Sequence, residues 1–140
     1  MSTHTVLAPV FVEVALTFAL LLWLGILRVR LVRAGAVRTH DVALGEPNWP
    51  ENVVQVGNAF RNQLEVPVLF YLLLVIAAFT GRGTLVLVVL AWLFVVSRLL
   101  HALIHVTTNN MARRFALFGT GVLILIAMWL IFAIQFFVGA

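Results

Sequence analysis

The stretch Asn58-Ala59-Phe60-Arg61-Asn62-Gln63-Leu64-Glu65-Val66-Pro67 continues without a charge through Phe79. Its approach is amphipathic from Val53, and it is wholly apolar from Val66 to Phe79. Read as one helix over 53–80, it is about 40 Å long, more than the roughly 30 Å of bilayer hydrocarbon. The polar start is therefore expected to project into water. Asn58, Arg61, Asn62 and Glu65 fall at i, i+3, i+4 and i+7, which places all four on one face of a continuous helix. A charge near the hydrocarbon boundary is costly unless paired or solvated. Two readings follow: Arg61 and Glu65 form an internal ion pair, or the stripe lines a polar cleft. In the cleft, Arg and Asn would hold anionic or amide groups and Glu an ammonium.

Three more apolar runs of spanning length lie at 6–27, 84–106 and 114–138. The first is too long for a signal-peptide core and has no basic segment before it, so it reads as a retained helix. Thr80-Gly81-Arg82-Gly83 is a tight turn, and 107–113 is a second short connection. Short connections force consecutive helices to pack antiparallel, giving an all-α, up-down four-helix bundle. With 64% hydrophobic and 10% charged residues, and a mean hydropathy of +1.14, the chain is excluded from the soluble monomers, which carry about 25% charge. Four spans in 140 residues leave no room for a separate soluble domain, so 1–140 reads as one membrane-embedded unit in the lipid bilayer.

All nine basic residues are arginine, and five residues are acidic. Arg28, Arg30, Arg33 and Arg38 follow the first span, and Arg113 and Arg114 precede the fourth, against Arg82 alone on the opposite side. By the positive-inside rule both arginine-bearing connections are cytoplasmic and both termini lie outside. The pI of about 11.5 is no sign of nucleic-acid binding, because most of the arginines flank apolar spans and no basic surface domain carries them. Cysteine is absent, so any thiol chemistry needs a thiol brought by a ligand. The 38–52 segment, with Gly45-Glu46-Pro47-Asn48-Trp49-Pro50, reads as an ordered interfacial loop.

The third span repeats the polar stripe with Arg98, His101 and His105 at i, i+3 and i+7, a face expected to meet protein rather than lipid. The histidine pair has metal-ligand spacing, yet the intervening Ala102-Leu103-Ile104 lacks the Glu of HExxH, so no metal site is expected. Satisfied interior histidines and ligand contacts both remain open. Arg28 and Arg30 close the first helix and Arg113 and Arg114 open the fourth, so basic ends converge on one side. Glu13, alone in the first span, has three open readings: snorkelling, pairing with a neighbour, or binding a proton.

The run Arg61-Asn62-Gln63-Leu64-Glu65-Val66-Pro67 resembles the MAPEG family, membrane-associated proteins in eicosanoid and glutathione metabolism, whose second helix carries an R/H-N-x-x-E pattern followed by Pro. Four spans, the arginine-rich first connection, and Arg98 with Arg114 in matching places extend the resemblance over nearly the whole chain. It looks most like bacterial members, which places it in a bacterial cytoplasmic membrane. The resemblance implies a homotrimer with glutathione between neighbouring subunits near the cytoplasmic face and a lipophilic small molecule arriving from the membrane. It implies cofactor contacts from Arg28, Arg30, Arg61, Asn62, Glu65, Arg98 and His101, and catalysis by Arg114 with His105. Where members often carry tyrosines on the third helix this chain has His101 and His105, and where some have Ser and Tyr it has Phe115 and Phe118. Asn58 replaces a frequent Arg, and the only tyrosine is Tyr71.

The resemblance therefore implies a glutathione-dependent transferase or peroxidase acting on lipophilic electrophiles or lipid hydroperoxides. The alternative is a non-catalytic protein of the same fold that binds lipid, quinone or a larger membrane complex. A proton-coupled exporter of cationic drugs, suggested only by size and Glu13, is disfavoured because a pathway lined by Arg28, Arg61, Arg98 and Arg114 repels cations.

Overall fold

A computed structural model describes residues 1–45 and 47–139. Among the described residues five α-helices follow one another: α1 (Thr3–Arg33), α2 (Glu51–Gln63), α3 (Val66–Phe79), α4 (Leu85–Val106) and α5 (Met111–Phe137), with a 3-10 turn at Thr39–Val42. Four stretches are long and apolar enough to cross a membrane, α2 and α3 together making the second. The chain is an integral membrane bundle.

The expected single helix over 53–80 is two helices. Leu64 and Glu65 leave the helical ladder, with Glu65 at φ −97° and ψ −101°. Pro67 supplies the reason: it has no N–H to donate to the carbonyl of Gln63, four residues back, and its ring would collide with that carbonyl in a continuous helix. Proline is instead accommodated in the first turn of α3. Glu65 thus precedes α3 and does not continue the stripe of Asn58, Arg61 and Asn62.

The other helices run past their apolar cores. The Ser2 hydroxyl accepts from Thr5 N–H, so α1 begins before the run at 6. It continues beyond 27 to Arg33, because hydropathy marks the lipid-embedded portion and not the helix end. Gly35 (φ +70°) stops it, with Gly35 N–H on Val32 O and Ala36 N–H on Leu31 O. Gly81 (φ +67°) ends α3 in the same way, through Gly81 N–H on Ala78 O and Arg82 N–H on Ala77 O. The Asn110 side chain accepts from Arg113 N–H at 3.0 Å, starting α5 at Met111 and not at 114.

Both termini and the α3–α4 turn share one end of the bundle. The amino terminus donates to Gly83 O at 3.3 Å, and the Arg82 guanidinium donates to Gln135 O and Gly139 O at the end of α5. The main core fills this half with Phe70, Leu73, Leu74, Leu87, Phe94, Leu125 and Met128. Towards the other end the apolar packing thins to Leu20, Ala59 and Ala102, beside Leu24, Val53 and Val56. Polar groups take up the intervening space. The α1–α2 connection covers this end: the Asn48 amide donates to Asp41 O at 2.6 Å, and the Arg28 guanidinium lies 5.0 Å from the centre of the Trp49 ring. Glu46, part of the loop anticipated there, lies outside the described residues.

Candidate functional site

At the arginine-rich end, α2, α4 and α5 surround a cavity of about 200 Å³ lined by Asn62, His101, Met111, Arg114, Phe115 and Phe118. Asn62 reaches it from the last turn of α2, which ends at Gln63. On α4, Arg98, His101 and His105 are all buried, at 1%, 2% and 2% exposure, so the stripe does face protein.

The hydrogen bonds fix the roles of these groups. His101 Nδ1 donates to Arg114 O at 3.0 Å, since a carbonyl can only accept. Its Nε2 is buried and has no partner among the described residues. The Asn62 amide donates to His105 Nδ1 at 3.4 Å. Arg98 donates from Nη2 to Asn62 O at 3.2 Å, and its guanidinium lies 5.8 Å from the centre of the Phe118 ring. Arg114 donates from Nη1 to Asn109 Oδ1 at 2.5 Å and from Nη2 to Met111 Sδ at 3.3 Å. Those bonds occupy two of its five N–H groups and leave three for a ligand.

The structure thus brings together Asn62, Arg98, His101, His105 and Arg114. Of these, Asn62, His101 and Arg114 line the cavity, and Arg28, Arg30, Arg61 and Glu65 do not. Arg28 and Arg33 line a separate cavity of about 370 Å³ with Val29, Val32, Thr39, Val42 and Trp49. Arg30 is exposed on the outer side of α1, in a groove with Leu22 and Ile26. Arg61 and Glu65 are exposed and make no ion pair with each other, which removes the internal pairing considered for them. Sequence reasoning missed Asn109 and Met111, which hold the Arg114 guanidinium; the Asn109-Asn110 pair is a helix-start signal that places Asn109 beside this turn. The partner of Glu13 was also missed. Glu13 is fully buried, with Oε1 4.0 Å from Arg98 Nε. Among the described residues, no three His, Cys, Asp or Glu side chains are grouped to hold a metal.

A partly buried cluster of basic and amide side chains at one end of a four-span helical bundle defines an integral membrane protein with a polar cavity. The MAPEG family model matches residues 6–134, and the chain belongs to that family of membrane proteins of glutathione and eicosanoid metabolism, whose members commonly use glutathione. No curated protein and no solved structure gives a significant match.

Proposed function

We propose that this protein is a glutathione-dependent membrane transferase or peroxidase acting on lipophilic electrophiles or lipid hydroperoxides, assembled as a homotrimer with its sites between subunits. The observation that carries the reading is the adjacency of Asn62, inside the cavity with Arg114, to Arg61 and Glu65, exposed on the same protomer. An arginine near the hydrocarbon boundary is costly unless water, a ligand or another subunit meets it, and Arg61 is free to meet any of these. Glutathione carries two carboxylates, an ammonium, two peptide groups and a thiol. Arg61 suits a carboxylate, Glu65 the ammonium and Asn62 a peptide group, while Arg28 and Arg30 are available to a neighbouring copy.

When bound, glutathione supplies the nucleophilic thiol that this cysteine-free chain lacks. A thiol of pKa about 8.5 is only a few per cent ionised at neutral pH, and a guanidinium beside it raises that fraction. Arg114 has this role, held in place by Asn109 and Met111. Proton acceptance fits His101 better than the expected His105, because His101 Nε2 is unengaged while His105 Nδ1 accepts from Asn62. His105 then orients the Asn62 amide. The six arginines near one end, against Arg82 at the other, favour a cytoplasmic position for the site, with both termini outside a bacterial cytoplasmic membrane.

The test is calorimetric titration of glutathione into the detergent-purified protein, with oligomeric mass measured in parallel. Binding that disappears in Arg61→Ala and Glu65→Ala supports the reading, and no binding at millimolar glutathione overturns it. One observation favours a second function, binding of lipid, quinone or a larger membrane complex without catalysis. Phe115 and Phe118 line the cavity, and the one tyrosine, Tyr71, packs instead against the main core, so the cavity has no phenolic hydroxyl. Retention of a lipid or quinone by a protein that turns over no electrophile would establish that function.

A further inference from the structure

Glu13 and Arg98 form an ion pair that the proposed chemistry leaves unused, and both are shielded from the surroundings, at 0% and 1% exposure. Arg98 Nε stands 4.0 Å from Glu13 Oε1, and Glu13 is the only carboxylate within ion-pair distance of Arg98 among the described residues. Arg98 does not line the cavity, yet it touches two residues that do: it donates to the Asn62 carbonyl and lies over the Phe118 ring. One guanidinium therefore ties α1, through Glu13, to the last turn of α2 and to α5. The carbonyl it holds lies where Pro67 interrupts the helix and the backbone has lost its regular ladder of partners.

We propose that Glu13 is a positioning residue for the cleft, holding Arg98 against the Asn62 carbonyl and the Phe118 ring, and so setting the last turn of α2 that carries Arg61 and Asn62. A buried cation takes the position its counter-charge dictates. Without Glu13, the Arg98 guanidinium is left as an uncompensated buried charge. It then turns towards water and releases Asn62.

The geometric part is independent of the ligand, whereas the affinity readout rests on the proposed glutathione site; the two are measured separately. Amide hydrogen exchange of the peptide covering 59–66 is followed by mass spectrometry on full-length protein in detergent, for wild type, Glu13→Gln and Met128→Ala. Met128 is fully buried in the main core, apart from the small cluster containing Ala59, and supplies a general loss of stability that leaves the Glu13–Arg98 pair in place. Glu13→Gln is expected to raise exchange in 59–66 about tenfold over Met128→Ala at the same depression of Tm, as local release of that turn requires. Equal exchange in the two variants overturns the inference. If Glu13→Gln does not fold, Glu13→Gln with Arg98→Gln removes both charges and is expected to fold, because no bare ion remains. Exchange in 59–66 stays raised in that double variant if Arg98 is the tether; wild-type protection there overturns the inference. Glutathione affinity is expected to fall about tenfold, or 1.4 kcal/mol, in Glu13→Gln. Absence of binding in wild type overturns the glutathione reading and leaves the exchange result to decide the role of Glu13.

Discussion

His101 Nδ1 lies 3.0 Å from the carbonyl oxygen of Arg114, so α4 fixes the imidazole against the first turn of α5 with its hydrogen on Nδ1. The remaining lone pair is on Nε2, in a residue that lines the cavity. His101→Phe is expected to lower kcat of thiol-dependent turnover by about 10²- to 10⁴-fold, the usual contribution of a general base, with little change in glutathione affinity. His105→Phe should do the reverse and chiefly weaken binding, because the Asn62 amide loses its acceptor. Steady-state kinetics beside calorimetry separates the two.

Arg114→Ala removes the cation proposed to favour the thiolate. The thiol of bound glutathione should then ionise at higher pH, shifting back towards its free value of about 8.5. Ultraviolet absorbance of the thiolate against pH reads this directly. Turnover should fall by about 10² to 10³, as when a preorganised charge-stabilising donor is removed. Asn109→Ala should act in the same direction but more weakly, since it loosens the guanidinium without deleting it.

Arg61→Ala and Glu65→Ala should each weaken glutathione binding by roughly 10- to 100-fold, the worth of one charge-assisted hydrogen bond. Because both side chains are exposed and form no ion pair or side-chain hydrogen bond among the described residues, folding stability should change by no more than about 0.5 kcal/mol. A large loss of Tm in either variant would mean that the residue is structural.

Gly121 packs α5 against α4, and a Cβ there would sit 2.9 Å from Ser97 Oγ and 3.8 Å from Arg98 Cδ. The Ser97 hydroxyl cannot simply retreat, because it donates to Phe94 O at 2.7 Å. Gly121→Val is expected to destabilise the bundle by about 1–3 kcal/mol through overpacking. Thermal unfolding in detergent, compared with Gly25→Ala, where a Cβ meets nothing, checks this.

Local sequence was enough for the membrane spans and for the burial of the α4 stripe. Arg98, His101 and His105 share a helical face by spacing alone, and three such side chains are too costly to turn towards lipid. The break at Leu64–Glu65 was also written locally, in Pro67. It was overridden by the spacing from Asn58 to Glu65, which assumes an unbroken helix. Helix ends at Ser2, Gly35 and Asn110 carried recognisable signals that hydropathy does not register, since it reports only which residues lie in hydrocarbon.

The number of spans, the arginine-rich end and the polar residues too costly to be filler are legible along the chain, because hydropathy and helical period depend only on near neighbours. Which of those residues meet depends on how the helices pack. The tertiary structure places Asn62, His101 and Arg114 around one cavity, leaves Arg30, Arg61 and Glu65 on the protomer surface, and sets Glu13 against Arg98, 85 positions away. Such pairings depend on the rotation and tilt of whole helices against one another. Those are fixed by packing at contacts such as Gly121 on Ser97 and by the ends of α2 and α5, which no single helix encodes.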